Sequence, residues 1–181
     1  MRAAVLAATI AELAESGHAA LTLEAVARRA GVHKTTLYRR WGTRDALVLE
    51  AMLELVGERV PVPDTGSLRG DLLALVSSAA ATASSPAGEA MVRAVAAAGA
   101  HDEALAAHNR RFWTERLAMD AEIVRRAVAR GEAPADTDAV EVVEAVLGPV
   151  YFRLLVTGET PDREFIEGVV ARVADGLAVR A

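Results

Sequence analysis

Apolar residues recur along the chain at three- and four-residue steps, the period of an α-helix. Leu6, Ile10 and Leu13 open the pattern. Val140, Val143, Leu147, Val150 and Leu154 repeat it, as do Ile166, Val169, Val170, Val173 and Leu177. No stretch alternates apolar and polar residues as a half-buried strand would. Turn residues cut the pattern into elements. The first helix is expected to end at Ser16-Gly17. Thr22 caps a second that stops by Gly31, and a third covers Lys34–Arg40 before Gly42-Thr43. A fourth runs from about Arg44 to Arg59, ahead of Pro61, Pro63, Asp64 and Gly66. Leu68–Ala83 is the next. Ser85-Pro86 starts another, with serine as cap and proline in the first helical position, and Gly99 ends it. His101–Arg130 reads as one long helix, followed by Val140–Val156 and Asp162–Val179. The expectation is an all-α fold of about nine helices, with Gly148-Pro149 bending the one that contains it.

The segment from Leu21 to Trp41 says most about function. Two short helices joined by a tight turn at Gly31 make a helix-turn-helix. Leu23, Val26, Ala27, Val32, Leu37 and Trp41 supply an apolar side, and Ala27 is small where neighbouring helices must come close. Lys34, Thr35, Thr36, Tyr38, Arg39 and Arg40 are left on the outer face of the third helix. This compact set of phosphate and base-edge partners fits a major groove. A solvated basic helix in a plain bundle would account for the arginines, but not for the two-helix spacing with threonines and a tyrosine outward.

Charge sharpens the picture. The chain has 181 residues and a net charge of −5, but residues 1–50 hold seven basic and five acidic side chains. Six basic residues and no acid lie between Arg28 and Arg44. A basic footprint on an acidic body points to one polyanion-binding face. There is no cysteine, which excludes disulfides and thiolate metal sites and fits a reducing cytoplasm, the expected location. Glu12 and Glu15 break the early apolar run too soon for a signal peptide, and no membrane span is expected.

The run Ala25-Val26-Ala27-Arg28-Arg29-Ala30-Gly31-Val32-His33-Lys34-Thr35-Thr36-Leu37-Tyr38-Arg39-Arg40-Trp41-Gly42-Thr43-Arg44-Asp45-Ala46-Leu47 closely resembles the DNA-binding signature of the tetracycline-repressor (TetR/AcrR) family. Gly148-Pro149-Val150-Tyr151-Phe152-Arg153-Leu154-Leu155-Val156-Thr157-Gly158 looks like a C-terminal subclass of that family. The resemblance implies that Lys34, Thr35, Thr36 and Arg39 face base edges and that Tyr38, Arg40 and Arg44 hold phosphates. Thr22 and Thr43 would then present helix N-termini to the DNA backbone. His33, also among the expected contacts, departs from the serine common at that position. The chain begins almost at its first helix, so minor-groove contacts from a preceding basic arm are expected to be missing.

By the same resemblance, residues 1–45 form the DNA-binding domain, 46–60 a connecting helix that carries the ligand's effect, and 61–181 a ligand-binding and dimerising domain. The implied function is a ligand-responsive repressor, homodimeric on a pseudo-palindromic operator in double-stranded DNA and released by a small-molecule inducer. No cofactor is implied. Val143, Leu147, Val150, Leu154, Val169 and Val173 are candidates for the dimer interface, with the chain's own core as the alternative. Met91, Phe112, Trp113, Leu117, Tyr151 and Phe152 are candidates for lining a ligand cavity, though such residues at helical spacing also make ordinary core. Rival classes are an activator or helical adaptor without inducer, and a helical enzyme. His101-Asp102-Glu103 with His108 is a thin basis for a metal site, because the histidines are seven residues apart and Asp102 suits a helix cap. No Gly-x-Ser-x-Gly, phosphate loop or dinucleotide fingerprint is present.

Overall fold

The computed structural model describes residues 1–98 and 103–177. The expected stop at Gly99, the residues His101 and Asp102, and the last two positions of the expected final helix lie outside them. Among the described residues the secondary structure is helical, with no strand. The helices are α1 (Arg2–Ala20), α2 (Leu23–Ala30), α3 (Lys34–Trp41), α4 (Arg44–Arg59), α5 (Leu68–Ala83), α6 (Pro86–Ala98), α7 (Glu103–Asp120), α8 (Glu122–Ala129), α9 (Ala139–Phe152) and α10 (Arg163–Leu177). A π-helical turn, Arg153–Thr157, extends α9.

Boundaries written in side-chain chemistry fall where expected. Thr22 Oγ1 accepts the Ala25 N–H at 3.1 Å and starts α2. Gly31, at φ 67° and ψ 32°, ends it, with the Val32 N–H reaching the Ala27 carbonyl at 3.0 Å. Ser85 Oγ accepts the Gly88 N–H at 3.1 Å and starts α6 behind Pro86. Asp138 Oδ1 takes the N–H groups of both Val140 and Glu141.

Gly17 interrupts α1 where a stop was expected: it swings to φ 72° and ψ 171°, outside helical geometry, and helical structure then resumes through Ala20. The single helix expected over His101–Arg130 is divided at Ala121, so that among the described residues α7 and α8 stand in its place. The break frees the Ala118 carbonyl, and the Arg125 guanidinium covers it with bonds of 3.0 and 3.3 Å. Helix α9 runs through Pro149 as expected, although proline gives it one N–H fewer, and then widens into the π turn. There the Arg153 carbonyl accepts the Glu159 N–H and the Thr157 hydroxyl.

The chain forms two compact units, residues 1–58 with 82–112, and residues 59–81 with 113–181. Helix α1 buries Val5, Leu6, Ala8, Thr9 and Leu13, more than one helix face, and it packs on both α2 and α6. Burial on two sides draws residues 82–112 into the first unit. The chain passes between the units within α4, α5 and α7.

In the second unit the segment between α4 and α5 is tied down by polar groups. Arg116 donates to the Val60 carbonyl at 2.6 Å and Arg126 donates to that of Pro63. Asp71, fully buried, accepts the Thr65 hydroxyl at 2.7 Å. Glu132 caps α5 from 64 residues away by accepting the Leu68 N–H at 2.6 Å.

Candidate nucleic-acid interface

Leu37 is fully buried and Trp41 is 8% exposed, so α3 is seated by one apolar edge. The opposite edge puts Lys34, Thr35, Tyr38, Arg39 and Arg40 in solvent, with Thr36 half-buried beside them. The six residues expected to share a face are therefore brought together on one short helix. Tyr38, a large side chain 47% exposed, spends apolar area on the surface, as a phosphate- or base-contacting residue does.

The flanking threonines already act as caps. Thr22 starts α2, and Thr43 Oγ1 accepts the Ala46 N–H at 3.1 Å in the first turn of α4. His33 is exposed at the N-cap of α3 and makes no side-chain cap bond. A serine there could satisfy one of the first N–H groups; the imidazole leaves them to solvent or to an incoming anion.

The basic run is not uniform. Arg29 is engaged by α1, with Nε on Glu12 Oε1 at 2.8 Å and Nη1 on Glu15 Oε1 at 2.7 Å. Its bond to Glu15 raises the Arg29 pKa and holds the Glu15 carboxyl below the usual range. Arg44 is half-buried and turned inward, 3.3 Å from Asp45 Oδ1 and donating to the His18 carbonyl at 3.4 Å. Arg28, Arg39 and Arg40 have no carboxylate partner among the described residues. These three and Lys34 are exposed cations of α2 and α3.

Two acids not expected to touch this face bond to its residues. Glu24 Oε1 lies 3.7 Å from Lys34 Nζ and 3.4 Å from the Tyr38 hydroxyl. Glu50 Oε2 accepts the Trp41 indole N–H at 2.6 Å, while its Oε1 accepts Arg2 Nε at 2.6 Å. Arg2 also reaches Glu54 at 3.0 Å, and its pKa is raised, chiefly by Glu50. Neither acid could be found by spacing, because each meets its partner across a turn.

The candidate ligand residues separate. Met91 is fully buried and Phe112 half-buried in the first unit. In the second, Trp113 and Tyr151 meet edge-to-face, 5.7 Å between centroids at 77°, and Leu117 is half-buried. Burial pushes the Tyr151 hydroxyl up to about 12; nearby Arg116 opposes this and Asp120 adds to it. Arg116 and Asp120 are a buried pair with two bonds of 2.8 Å, and desolvation raises the Asp120 pKa despite the arginine. Phe152 is 58% exposed.

Of the candidate interface residues, Val143, Leu147, Val150, Leu154 and Val169 are buried within a single chain and Val173 is half-buried, which favours the alternative of the chain's own core. The large exposed apolar side chains of this region are Phe152, Leu155 and Val156. Among the described residues no three metal-capable side chains cluster, and no helix is long and apolar enough to cross a membrane.

Known proteins share this arrangement from end to end. A family model described as "Bacterial regulatory proteins, tetR family" matches residues 5–51, and one described as "Tetracyclin repressor-like, C-terminal domain" matches residues 62–173. The chain is 37% identical over 150 residues to the HTH-type transcriptional regulator AqdR of Rhodococcus erythropolis, covering 83% of this chain and 72% of that one. It is 31% identical over 166 residues to the DNA-binding transcriptional repressor TetR of Mycobacteroides abscessus, covering 88% and 85%. Among solved structures, the TetR family transcription regulator SCO0332 superimposes with a TM-score of 0.85 at 35% identity, covering 98% of both chains.

Proposed function

The chain belongs to the TetR family of helix-turn-helix transcriptional regulators, and on that premise we propose that it is a repressor that binds a pseudo-palindromic operator as a homodimer and leaves it when a small molecule binds. The observation that carries this reading is the exposed edge of α3. Lys34, Thr35, Tyr38, Arg39 and Arg40 stand outward while Leu37 and Trp41 anchor the helix behind them. Arg39 offers a forked donor to a guanine edge, Lys34 and the threonines offer shorter partners, and Arg40 and Tyr38 reach phosphate. One such helix buries too little surface for tight, specific binding, which favours two copies on a twofold-related site.

For the inducer, the second unit offers Tyr151 and Trp113. A hydroxyl whose pKa stands near 12 remains a neutral donor at any physiological pH. It sits close to the buried Arg116–Asp120 pair, which can orient polar atoms of a ligand without presenting net charge. A mostly apolar molecule with a few polar atoms fits such surroundings.

Footprinting on the DNA upstream of the chain's own gene tests the reading. The expected result is a protected pseudo-palindrome with half-sites about one helical turn, ~34 Å, or a multiple of it apart. Absence of salt-sensitive DNA binding anywhere in that region would turn the reading toward an adaptor that has lost its operator.

A further inference from the structure

Arg40 holds no carboxylate, and a long side chain with no anchor must give up rotamer freedom whenever it grips a phosphate. What orders it here is the neighbouring ring: its guanidinium carbon lies 5.2 Å from the Trp41 centroid. The ring is fixed in turn. Its N–H donates to Glu50 at 2.6 Å, and the other oxygen of that carboxylate is taken by Arg2, also at 2.6 Å. Arg2 opens α1, Glu50 lies within α4, and Trp41 is the last residue of α3. A charge-assisted bond fixes the tilt of the indole and adds electron density to the face on which a cation sits.

We propose that Glu50 is a positioning residue for DNA binding, which acts through the Trp41 indole to hold Arg40 ready for a phosphate. The proposal rests on reading Arg40 as a phosphate contact. Glu50 itself touches no DNA. Its carboxylate makes the order of the DNA-facing surface depend on α4 and on the first turn of α1, where Arg2 holds the other carboxylate oxygen. An intact relay lets Arg40 meet DNA in one orientation; a broken one leaves it to be ordered on binding.

The test is a double-mutant cycle on the full-length protein, measuring affinity for operator and for random duplex DNA over a range of salt. Arg40→Ala should weaken both DNAs alike and reduce the salt slope by about one per subunit. Glu50→Gln should weaken both roughly three- to tenfold while Arg40 is present and have no further effect beside Arg40→Ala. Trp41→Phe, which keeps an aromatic face but no donor, should behave as Glu50→Gln does. Glu58→Gln, further along α4, serves as the silent control. The chain has two tryptophans, so a nitrogen–proton correlation spectrum holds two indole peaks, assigned with Trp113→Phe. The Trp41 peak should move upfield in Glu50→Gln and stay in place in Glu58→Gln.

If Glu50→Gln costs the same with and without Arg40, or nothing in either background while Arg40→Ala flattens the salt slope, the relay is overturned and the phosphate role of Arg40 survives. An unmoved indole peak in Glu50→Gln overturns the relay equally. If Arg40→Ala leaves the salt slope unchanged, its phosphate role falls, and the relay with it.

Discussion

Glu24, in the first turn of α2, stands 3.7 Å from the ammonium of Lys34 on α3, so one end of the recognition helix is held by an acid from the helix before it. The same carboxylate takes the Tyr38 hydroxyl at 3.4 Å. Two expected DNA contacts thus share a partner that bound DNA would have to displace. Both members of the ion pair are more than half in solvent or close to it (63% and 50% exposed), which makes the competition weak and open to screening.

Glu24→Gln should therefore tighten binding to all DNA by about two- to fivefold at low salt, the scale of an exposed pair. Random duplex should gain as much as operator or more, lowering the specificity ratio, and the gain should fade by about 0.5 M salt. Titrations of both DNAs at two ionic strengths measure this. Unchanged affinity at low salt would show that Glu24 does not compete.

Arg39 should behave differently from its neighbour Arg40. It is exposed and has no carboxylate partner among the described residues. Arg39→Ala should cost operator binding about 1–3 kcal/mol while random DNA loses much less, with relaxed preference at particular positions of the site. Selection of bound sequences from a randomised operator is the measurement. A uniform loss across sequences would move Arg39 to the phosphate group and leave base reading to Lys34 and the threonines.

The sequence made the DNA-binding half legible because its signals are local. Thr22, Gly31, Thr43 and Ser85 act within a turn of themselves, so their elements begin and end where spacing says. The outer face of α3 follows from which residues must be inner. Legibility failed where the deciding partner is distant. Periodicity shows that Val143, Leu147 and Val150 are covered, but not whether the cover is the same chain or another. No breaker residue marks the break at Ala121, where Arg125 turns back to the Ala118 carbonyl. Trp41 was expected only as packing; its N–H and Glu50 meet across the turn into α4, nine residues apart.

Acid should expose the tie between α5 and the loop after α8. Glu132 is held below the usual carboxylate range, first by the Leu68 N–H and then by Arg130. Since its pKa in the folded chain is the lower one, the stabilisation is complete above the ordinary value near 4.5 and is lost as pH falls through the folded value. Glu132→Gln should cost about 1 kcal/mol at pH 7, the scale of a helix cap, and progressively less below pH 4.5. Urea midpoints at pH 7 and pH 3.5 for both proteins check it. A difference that grows toward acid would show that the carboxylate charge is not what holds Leu68.

Dimerisation should answer to the exposed apolar side chains, not to the buried stripe. Leu147 is 6% exposed and Val143 fully buried in one chain, so Leu147→Glu places an uncompensated carboxylate in the core, at a cost of roughly 3–5 kcal/mol. That protein should melt far earlier or fail to fold, whatever its oligomeric state. Phe152, Leu155 and Val156 lie at one-turn spacing on α9 and the π turn, and are 58%, 37% and 68% exposed. Single exposed apolar residues are ordinary on a surface, but three on one helical edge favour a covered face. In a twofold assembly each copy would place that edge against the same surface of its partner. Val156→Glu should then leave the melting transition of each subunit intact. Sedimentation at micromolar concentration should show folded monomers, with operator affinity reduced because one recognition helix binds alone. A Val156→Glu protein that stays dimeric, or a Leu147→Glu protein that is monomeric and fully folded, would return the interface to the buried stripe. The second outcome would also mean that the burial of Leu147 within one chain has been misjudged.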